Sequence, residues 1–153
     1  RHALDRAAAE ALGAAIAGQV RDLGIQSVLS PALGGIVIGQ EVGRALGVRA
    51  IFAERQDGKL MLRRGFTLSP GTNVLVVEDV VTTGGSTRET IEVARAAGAI
   101  VVGAAAIIDR SGGNQALDVP FHALATVSLP TYQPESCPLC AAGSPVVKPG
   151  SRT

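Results

Sequence analysis

Residues 74–90 read VLVVEDVVTTGGSTRET: four aliphatic residues, two adjacent acids, and then a turn rich in glycine and hydroxyl groups. The aliphatic run predicts a buried strand, and residues 86–97 predict a helix that Gly98 ends. A carboxylate at the end of a core strand is costly to remove from water unless it has a partner. Glu78 and Asp79 therefore indicate that something binds at this strand end.

The segments on either side of this stretch alternate between predicted helices and strands. The predicted helices cover residues 3–22, the segment up to about residue 46, and residues 86–97; the predicted strands cover 27–30, 49–55, 74–79, 99–110 and 121–129. This alternation predicts an α/β fold with a parallel sheet covered on both faces. Asp57 and Gly58, followed by alternating Leu60 and Leu62, predict a hairpin that projects from the sheet. Ligands bind at the carboxyl ends of such strands, where the segments PALGG, EDVVTTGGST and DRSGG all fall.

Length and charge limit the classes of protein to consider. The chain has 153 residues, a length typical of one domain, and 14 basic against 13 acidic side chains give a net charge of +1. Because no basic cluster exceeds the pair Arg63 and Arg64, we do not expect nucleic acid as a partner. No stretch approaches the ~18 apolar residues that a membrane span needs, and residues 1–10 form a charged helical pattern rather than a signal peptide. We therefore expect a soluble, cytoplasmic domain with no membrane partner.

The turn TTGGST at residues 82–87 precedes a predicted helix, so backbone N–H groups, hydroxyls and the positive helix end converge there. This arrangement favours a phosphate group, although a glycine turn that only caps the helix is an alternative. The lysine of GxxxxGK[ST] and the GxGxxG pattern are both missing. Glu78 and Asp79 can accept hydrogen bonds from the vicinal hydroxyls of a sugar whose phosphate lies in the turn, with Mg²⁺ nearby. The residues favour a sugar phosphate over a pair of solvated strand-end acids.

The stretch VLVVEDVVTTGGST resembles the motif that binds 5-phosphoribosyl-1-diphosphate (PRPP) in type I phosphoribosyltransferases. The segments SPALGGI, AERQDGKLMLRRGF, AIIDRSGG and CPLCAAGSPVVKPGSR together resemble bacterial orotate phosphoribosyltransferases, over nearly the whole chain from Gly24 onward. The resemblance implies a Rossmann-like fold, with a central, mostly parallel sheet flanked by helices and a projecting, flexible β-hairpin loop. It also implies Mg²⁺-dependent transfer of the phosphoribosyl group from PRPP to orotate in pyrimidine biosynthesis, by a homodimer that shares its basic loop across subunits.

The resemblance also implies roles for individual residues. Glu78 and Asp79 would bind the ribose hydroxyls and, together with Lys59, take part in catalysis, with Mg²⁺ near the two acids but held mainly by PRPP. The residues implied to bind PRPP are Ala32, Leu33, Gly34, Gly35, Arg55, Lys59, Glu78, Asp79, Val80, Val81, Thr82, Thr83, Gly84, Gly85, Ser86 and Thr87. Thr82 and Arg110 are implied to bind orotate, whose carboxylate suits a forked guanidinium.

Several alternatives stay open. Residues 55–64 are the densest basic stretch, which suits a diphosphate, but they also suit an exposed hairpin with solvated charges. Arg110 has the alternative of a surface ion pair with Asp109. A PRPP-binding regulator or a purine phosphoribosyltransferase would use the same fold, although a purine site needs no carboxylate-binding arginine. Family members normally carry an N-terminal hood before the first long helix, and we expect the single domain 1–153 to lack it.

Cys137 and Cys140 form a CxxC pair, which is too small and too closely spaced for a disulfide framework. Because no second pair of ligands accompanies them, we expect a plain loop or turn rather than a zinc site or a redox pair. His2 and His122 have no acid–base neighbours in the sequence, and we interpret both as structural or surface residues.

Overall fold

The computed structural model describes residues 6–130 and 132–145. Its centre is a six-stranded sheet in the order β3-β2-β1-β4-β5-β6, in which every neighbouring pair is parallel except β2 and β3. The strands are β1 (Ser27–Pro31), β2 (Arg49–Gln56), β3 (Lys59–Leu62), β4 (Asn73–Val81), β5 (Ile100–Asp109) and β6 (Phe121–Thr126). The helices are α1 (Arg6–Val20), α2 (Gly34–Leu46), α3 (Gly85–Ala96) and the short α4 (Pro138–Ala141).

The core lies on both faces of β4, which explains its uninterrupted aliphatic sequence. Leu75 and Val77 face one cluster of buried residues, to which α1 and α2 contribute Ile16, Val20, Ile38 and Val42. Val74 and Val76 face the opposite side, where α3 contributes Ala94 and Ile91. Because successive side chains of a strand alternate between faces, a strand covered on both sides needs apolar residues at every position.

The chain builds the sheet outwards in two directions, through β1, β2 and β3 on one side and through β4, β5 and β6 on the other. The two starting strands lie side by side, with Ser27 beside Val74 and Leu29 beside Val76. This reversal of strand order is a topological switch point, and open α/β sheets form ligand clefts at the carboxyl ends of the strands there. The segments that follow β1 and β4 therefore lie next to each other.

The predicted alternation of helices and strands is confirmed. The hairpin consists of the core strand β2 and its antiparallel neighbour β3, which forms one edge of the sheet. Asp57 and Gly58 at its tip have φ angles of 50° and 83°, as this two-residue turn requires. The first helix was expected from residue 3; residues 3–5 lie outside the described residues.

The CxxC segment, expected as a plain loop or turn, forms two short helical turns, Pro134–Ser136 and Pro138–Ala141. A proline at the first helical position favours such a start because its missing N–H is not needed there. Within the described part of the chain, no helix has the length and apolar character that a membrane crossing requires.

Candidate functional site

The two acids predicted as the centre of the site lie at the carboxyl end of β4. The side chain of Glu78 is buried, with 7% of the residue exposed, and its Oε2 has no hydrogen-bond partner among the described residues. Burial, together with the neighbouring Asp79, raises the pKa of Glu78 to about 8. Asp79 is half-buried, and its Oδ1 accepts a hydrogen bond from the Val80 N–H at 2.8 Å. An orphaned buried oxygen beside an accessible carboxylate is the arrangement expected where a polar ligand completes the site.

The turn after β4, predicted to bind a phosphate, lines a small cavity. A cavity of about 140 Å³ is lined by Glu78 and by the predicted phosphate-binding residues Val80, Val81, Thr82, Thr83, Gly84, Gly85, Ser86 and Thr87. Gly84 lies directly before α3 with a φ of 74°, which suits glycine, and no side chain caps the helix start. The first N–H groups of α3 therefore have no side-chain cap, and such uncapped groups are able to bind an anion.

The segment after β1 lies directly against the acid pair. A Cβ added to Gly34 would lie 2.5–2.8 Å from the carboxylate atoms of Asp79, and one added to Gly35 would lie 2.9 Å from the Val77 carbonyl oxygen. Gly35 therefore allows the backbone to approach β4 closely, whereas a side chain at Gly34 would displace the Asp79 carboxylate. Ala32 and Leu33 complete this segment, joined by a cis peptide bond, and Leu33 is 79% exposed. The structure thus brings the predicted diphosphate segment beside Asp79.

Two basic side chains of the hairpin, Arg55 and Lys59, lie next to the helix α3. Arg55 forms an ion pair with Glu89 of α3 (Nη2–Oε2, 2.8 Å) and donates a hydrogen bond to the Gly58 carbonyl. Lys59 is exposed and borders a groove of about 660 Å³ between the hairpin and α3. This groove adjoins the phosphate turn at Gly85, which lines both cavities. In the described conformation, Lys59 borders the groove beside the phosphate turn, Arg55 is held by Glu89 of α3, and Arg64 instead pairs with Glu54.

Arg110, the predicted orotate residue, is exposed directly after β5. Its backbone N–H donates to the Val81 carbonyl at 2.7 Å, which places it beside the start of the phosphate turn. Asp109 has no ion pair with Arg110 among the described residues; it is 3% exposed and accepts hydrogen bonds from Ser111 instead. The alternative of a surface ion pair between Asp109 and Arg110 is therefore wrong, because the buried carboxylate already has a local partner.

Three residues beside the site, for which the sequence predicted no role, form contacts in the structure: Arg88, Ser111 and Gln115. Arg88 Nη1 donates to the Gln115 carbonyl at 2.8 Å, and Ser111 Oγ lies 3.0 Å from Gln115 Oε1. An Asp-x-Ser pattern after a strand is a local signal for such a turn. The contact of Arg88 has no signal in the sequence because it joins residues that are 27 positions apart.

The acid pair fits the oxygen ligands that Mg²⁺ prefers, since it offers two carboxyl groups beside a hydroxyl-rich turn. In the described ranges, no cluster of three or more His, Cys, Asp or Glu side chains is close enough to hold a metal ion. The remaining ligands would therefore have to come from water and from the substrate. Cys137 and Cys140 are free thiols, and among the described residues they are not part of a group of three or more possible metal ligands.

The family of this chain follows from its similarity to known proteins. The family model for the phosphoribosyl transferase domain matches residues 3–128. The orotate phosphoribosyltransferase of Desulforamulus reducens is 54% identical over 137 residues, which cover 90% of this chain and 72% of that protein. The orotate phosphoribosyltransferase of Carboxydothermus hydrogenoformans is 57% identical over 125 residues, which cover 82% of this chain and 65% of that protein.

Solved structures show the same fold. A phosphoribosyltransferase from Corynebacterium diphtheriae matches with a TM-score of 0.70 and 29% identity, over 80% of this chain and 77% of that one. The orotate phosphoribosyltransferase of Mycobacterium tuberculosis, in complex with Fe(III) dicitrate, matches with a TM-score of 0.70 and 22% identity, over 81% of this chain and 75% of that one. The resemblance that the motifs indicated is thereby confirmed, and the chain belongs to the orotate phosphoribosyltransferases of the phosphoribosyltransferase family.

Proposed function

We propose that the chain catalyses the Mg²⁺-dependent transfer of the phosphoribosyl group from PRPP to orotate, which yields orotidine 5'-phosphate and diphosphate. One observation carries the proposal: the acid pair, the phosphate turn and the Gly34–Gly35 segment meet at the switch point between β1 and β4. PRPP has three polar parts, which are its ribose hydroxyls, its 5-phosphate and its diphosphate. The site offers one place for each of them along a single edge of the sheet.

The proposed binding roles follow from the chemistry of each part of the site. The N–H groups at the start of α3 and the hydroxyls of Thr82, Thr83, Ser86 and Thr87 hold the 5-phosphate. Glu78 and Asp79 accept hydrogen bonds from the ribose hydroxyls, and the backbone at Gly34 approaches the diphosphate closely. Thr82 and Arg110 bind orotate, with the guanidinium of Arg110 paired to its carboxylate.

In the proposed reaction, N1 of orotate forms a bond to C1 of the ribose and gives up its proton to solvent, while the bond from C1 to the diphosphate oxygen breaks and its electron pair leaves with the diphosphate. Inversion at C1 follows, and the transition state resembles an oxocarbenium ion. Bound Mg²⁺ supplies positive charge that stabilises the leaving diphosphate. Lys59 and Arg55 add to this stabilisation when the hairpin closes over the diphosphate, and closure also excludes water. For that step Arg55 has to exchange its partner Glu89 for the diphosphate.

We further propose that the enzyme is a homodimer, with a second copy of the chain seated beside the site. Leu33 and Val37, at the start of α2, are 79% and 51% exposed. Val37 also borders an apolar cavity of about 350 Å³, lined by Ile36, Val37, Gln40, Glu41, Ala50, Ile51, Phe52 and Phe66. Exposed apolar surface of this kind favours association. Because Leu33 belongs to the predicted diphosphate segment, a copy seated here can lend its basic hairpin to the neighbouring site.

The decisive test is the loss of orotate absorbance when the chain is mixed with PRPP and Mg²⁺, in parallel with Asp79→Asn. We expect orotate to be consumed by the wild-type chain and consumption to fall at least about a hundredfold in the variant, because the ribose contact loses its charge. Asp118→Asn is the matched control, since Asp118 is an exposed acid that pairs with Arg95 outside the site.

Parallel reactions with adenine and hypoxanthine separate the alternatives on the same fold. Consumption of a purine in place of orotate would identify a purine phosphoribosyltransferase. Binding of PRPP with no consumption of any base would identify a PRPP-binding regulator. Equal orotate consumption by wild type and Asp79→Asn would contradict the proposed role of the acid pair.

A further inference from the structure

The loop that carries Arg110, residues 110–118 between β5 and β6, begins with a tightly bonded turn. Asp109 Oδ1 accepts hydrogen bonds from the Ser111 backbone N–H at 2.7 Å and from Ser111 Oγ at 2.6 Å. Ser111 Oγ also accepts from the Gly113 N–H at 3.1 Å and lies 3.0 Å from Gln115 Oε1. Because Asp109 is buried, this turn is anchored to the sheet, and Arg110 projects from its centre.

A second anchor ties the same loop to the phosphate turn. Arg88, in the first turn of α3, donates from Nη1 to the Gln115 carbonyl oxygen at 2.8 Å. A Cβ added to Gly84 would lie 2.8 Å from that carbonyl oxygen and 3.2 Å from Arg88 Nη1. The carbonyl of Gln115 therefore lies directly over Gly84, the residue that precedes α3. Together with the bond from the Arg110 N–H to the Val81 carbonyl at 2.7 Å, this contact joins the two loops on both sides.

We propose that Arg88 is a positioning residue that holds the Arg110 loop against the phosphate turn, so that the carboxylate of the base meets Arg110 in the productive geometry. This inference rests on the proposed function. Arg88 acts through its hydrogen bond to the Gln115 carbonyl, while the rest of its side chain borders the groove beside the hairpin. A guanidinium that donates to a carbonyl makes a charge-assisted hydrogen bond, which is stronger than a neutral one and suited to fixing a loop.

The linkage has a consequence for which part of the site depends on Arg88. The start of α3 is part of the proposed 5-phosphate site, and Arg88 belongs to the first turn of that helix. The 5-phosphate site uses the backbone N–H groups and hydroxyls of this turn, whereas the contact to Gln115 uses only the Arg88 guanidinium. Loss of the Arg88 contact should therefore weaken the base site while leaving the PRPP site largely as it was.

The test compares steady-state kinetics of wild type, Arg88→Met and Arg95→Met. Methionine keeps an apolar stem of similar length but removes the hydrogen bond to Gln115. We expect the KM for orotate to rise about five- to tenfold in Arg88→Met, while the KM for PRPP changes less than about twofold. Arg95→Met is the matched control because Arg95 also reaches from α3 to this loop, but at Asp118 (2.7 Å), and it should leave both values unchanged.

Two further variants separate positioning from general destabilisation. Arg88→Lys keeps a cationic donor and should recover part of the loss in orotate KM, whereas a purely structural defect would not follow the donor. Ser111→Ala removes only the Oγ contacts of the turn and should raise the orotate KM in the same direction, which keeps the inference testable if Arg88→Met fails to fold. Unfolding midpoints are measured for all variants.

The outcomes are distinguishable. If wild type consumes orotate and Arg88→Met shows an unchanged orotate KM, or an equal rise in both KM values, this inference is overturned while the proposed function stands. If wild type consumes no orotate, the proposed function fails and this inference fails with it. A selective rise in the orotate KM, with partial recovery in Arg88→Lys, establishes Arg88 as the positioning residue.

Discussion

Glu78 carries a carboxyl group that the fold removes almost entirely from water. Its pKa is raised from 4.5 to about 8, first because it is buried and then because Asp79 lies beside it. Between these pH values the folded chain keeps a proton that the unfolded chain has already released. The free energy of unfolding therefore falls as pH rises through this window, and the contribution of Glu78 levels off above about pH 8.

We predict that Glu78→Gln removes this pH dependence. Glutamine has a similar shape and no charge, so the variant should lose less stability than wild type between pH 5 and pH 8.5, by a difference on the order of 3–5 kcal/mol. Urea unfolding of both chains at the two pH values measures this difference. Because all other titrating groups are shared, parallel profiles for the two chains would show that Glu78 is not buried in its neutral form.

Gly34 is the residue at which the segment after β1 contacts Asp79 at the end of β4. We predict that Gly34→Ala weakens Mg²⁺-dependent PRPP binding at least about tenfold, since a Cβ at this position would lie 2.5–2.8 Å from the Asp79 carboxylate. Only a side chain has to move, so the unfolding midpoint should change little. Calorimetric titration with PRPP and Mg²⁺ measures the affinity.

Gly18→Ala is the control for this change. Gly18 lies within α1, and a Cβ there would meet no atom within 4 Å. Alanine should therefore stabilise the chain by about 0.5–1 kcal/mol, with unchanged PRPP affinity. Unchanged affinity in Gly34→Ala as well would mean that Asp79 can move without consequence for the ligand.

Among single residues, the sequence predicted the acid pair as a binding site, because two adjacent carboxylates after an aliphatic run are costly to bury. It did not reach the raised pKa of Glu78, which depends on how completely the surrounding elements cover that side chain. It also missed Arg88 and Gln115, since their contact depends on the path of an irregular loop. Neither periodicity nor turn chemistry predicts such a path.

At the scale of the elements, the contact between the β2–β3 hairpin and the helix α3 bears most directly on the proposed function. Arg55 Nη2 lies 2.8 Å from Glu89 Oε2, and both side chains are about half exposed, at 48% and 47%. Exposed ion pairs stabilise a protein by only about 0.2–1 kcal/mol. The side chain of Arg55 is therefore held on α3 by an interaction weak enough for a diphosphate to replace.

We predict that Glu89→Gln lowers the KM for PRPP about two- to threefold, because Arg55 no longer has to leave an ion pair. Steady-state kinetics at low ionic strength measure the effect, which should shrink as salt is added. Glu92→Gln is the matched control, since Glu92 lies on the same helix and pairs with Arg95 instead of Arg55. A KM for PRPP that rises in Glu89→Gln would mean that the ion pair supports binding.

The bounds of the elements followed from the sequence more closely than their contacts did. Aliphatic runs and the glycines at positions 24, 47 and 98 mark strand cores and helix ends, and these signals are local. That β3 pairs with β2 as the edge of the main sheet depends on register, which the turn at Asp57 and Gly58 sets only in part. The ion pair to α3 is a tertiary contact between long side chains, and no local pattern encodes it.

At the scale of the whole molecule, the proposed reaction predicts that two copies of the chain associate as a dimer. We predict that the wild-type chain sediments as a dimer and that Val37→Glu weakens self-association at least about tenfold, because an acid at this half-exposed apolar site would have to be desolvated. Sedimentation velocity over a range of concentrations measures the change. Activity should fall with the dimer if each hairpin serves the neighbouring site.

Ile100→Glu is the control for charge alone. Ile100 is 54% exposed at the amino end of β5, away from the segments that follow β1 and β4. The Ile100→Glu variant should therefore sediment and turn over substrate like the wild-type chain. A wild-type chain that sediments as a monomer with full turnover would show that the site is complete within one subunit.

The side-by-side placement of β1 and β4 also bears on how the chain folds. Ser27 and Val74 are partners although 46 residues separate them in sequence, whereas β2 and β3 are joined by a two-residue turn. Closing a long loop has a high entropic cost, so such distant pairings form slowly while local hairpins form early. The ligand site exists only once the distant pair has closed. The recovery of PRPP binding during refolding therefore reports a late folding event, and a bound ligand would favour completion of the fold over any partly folded chain.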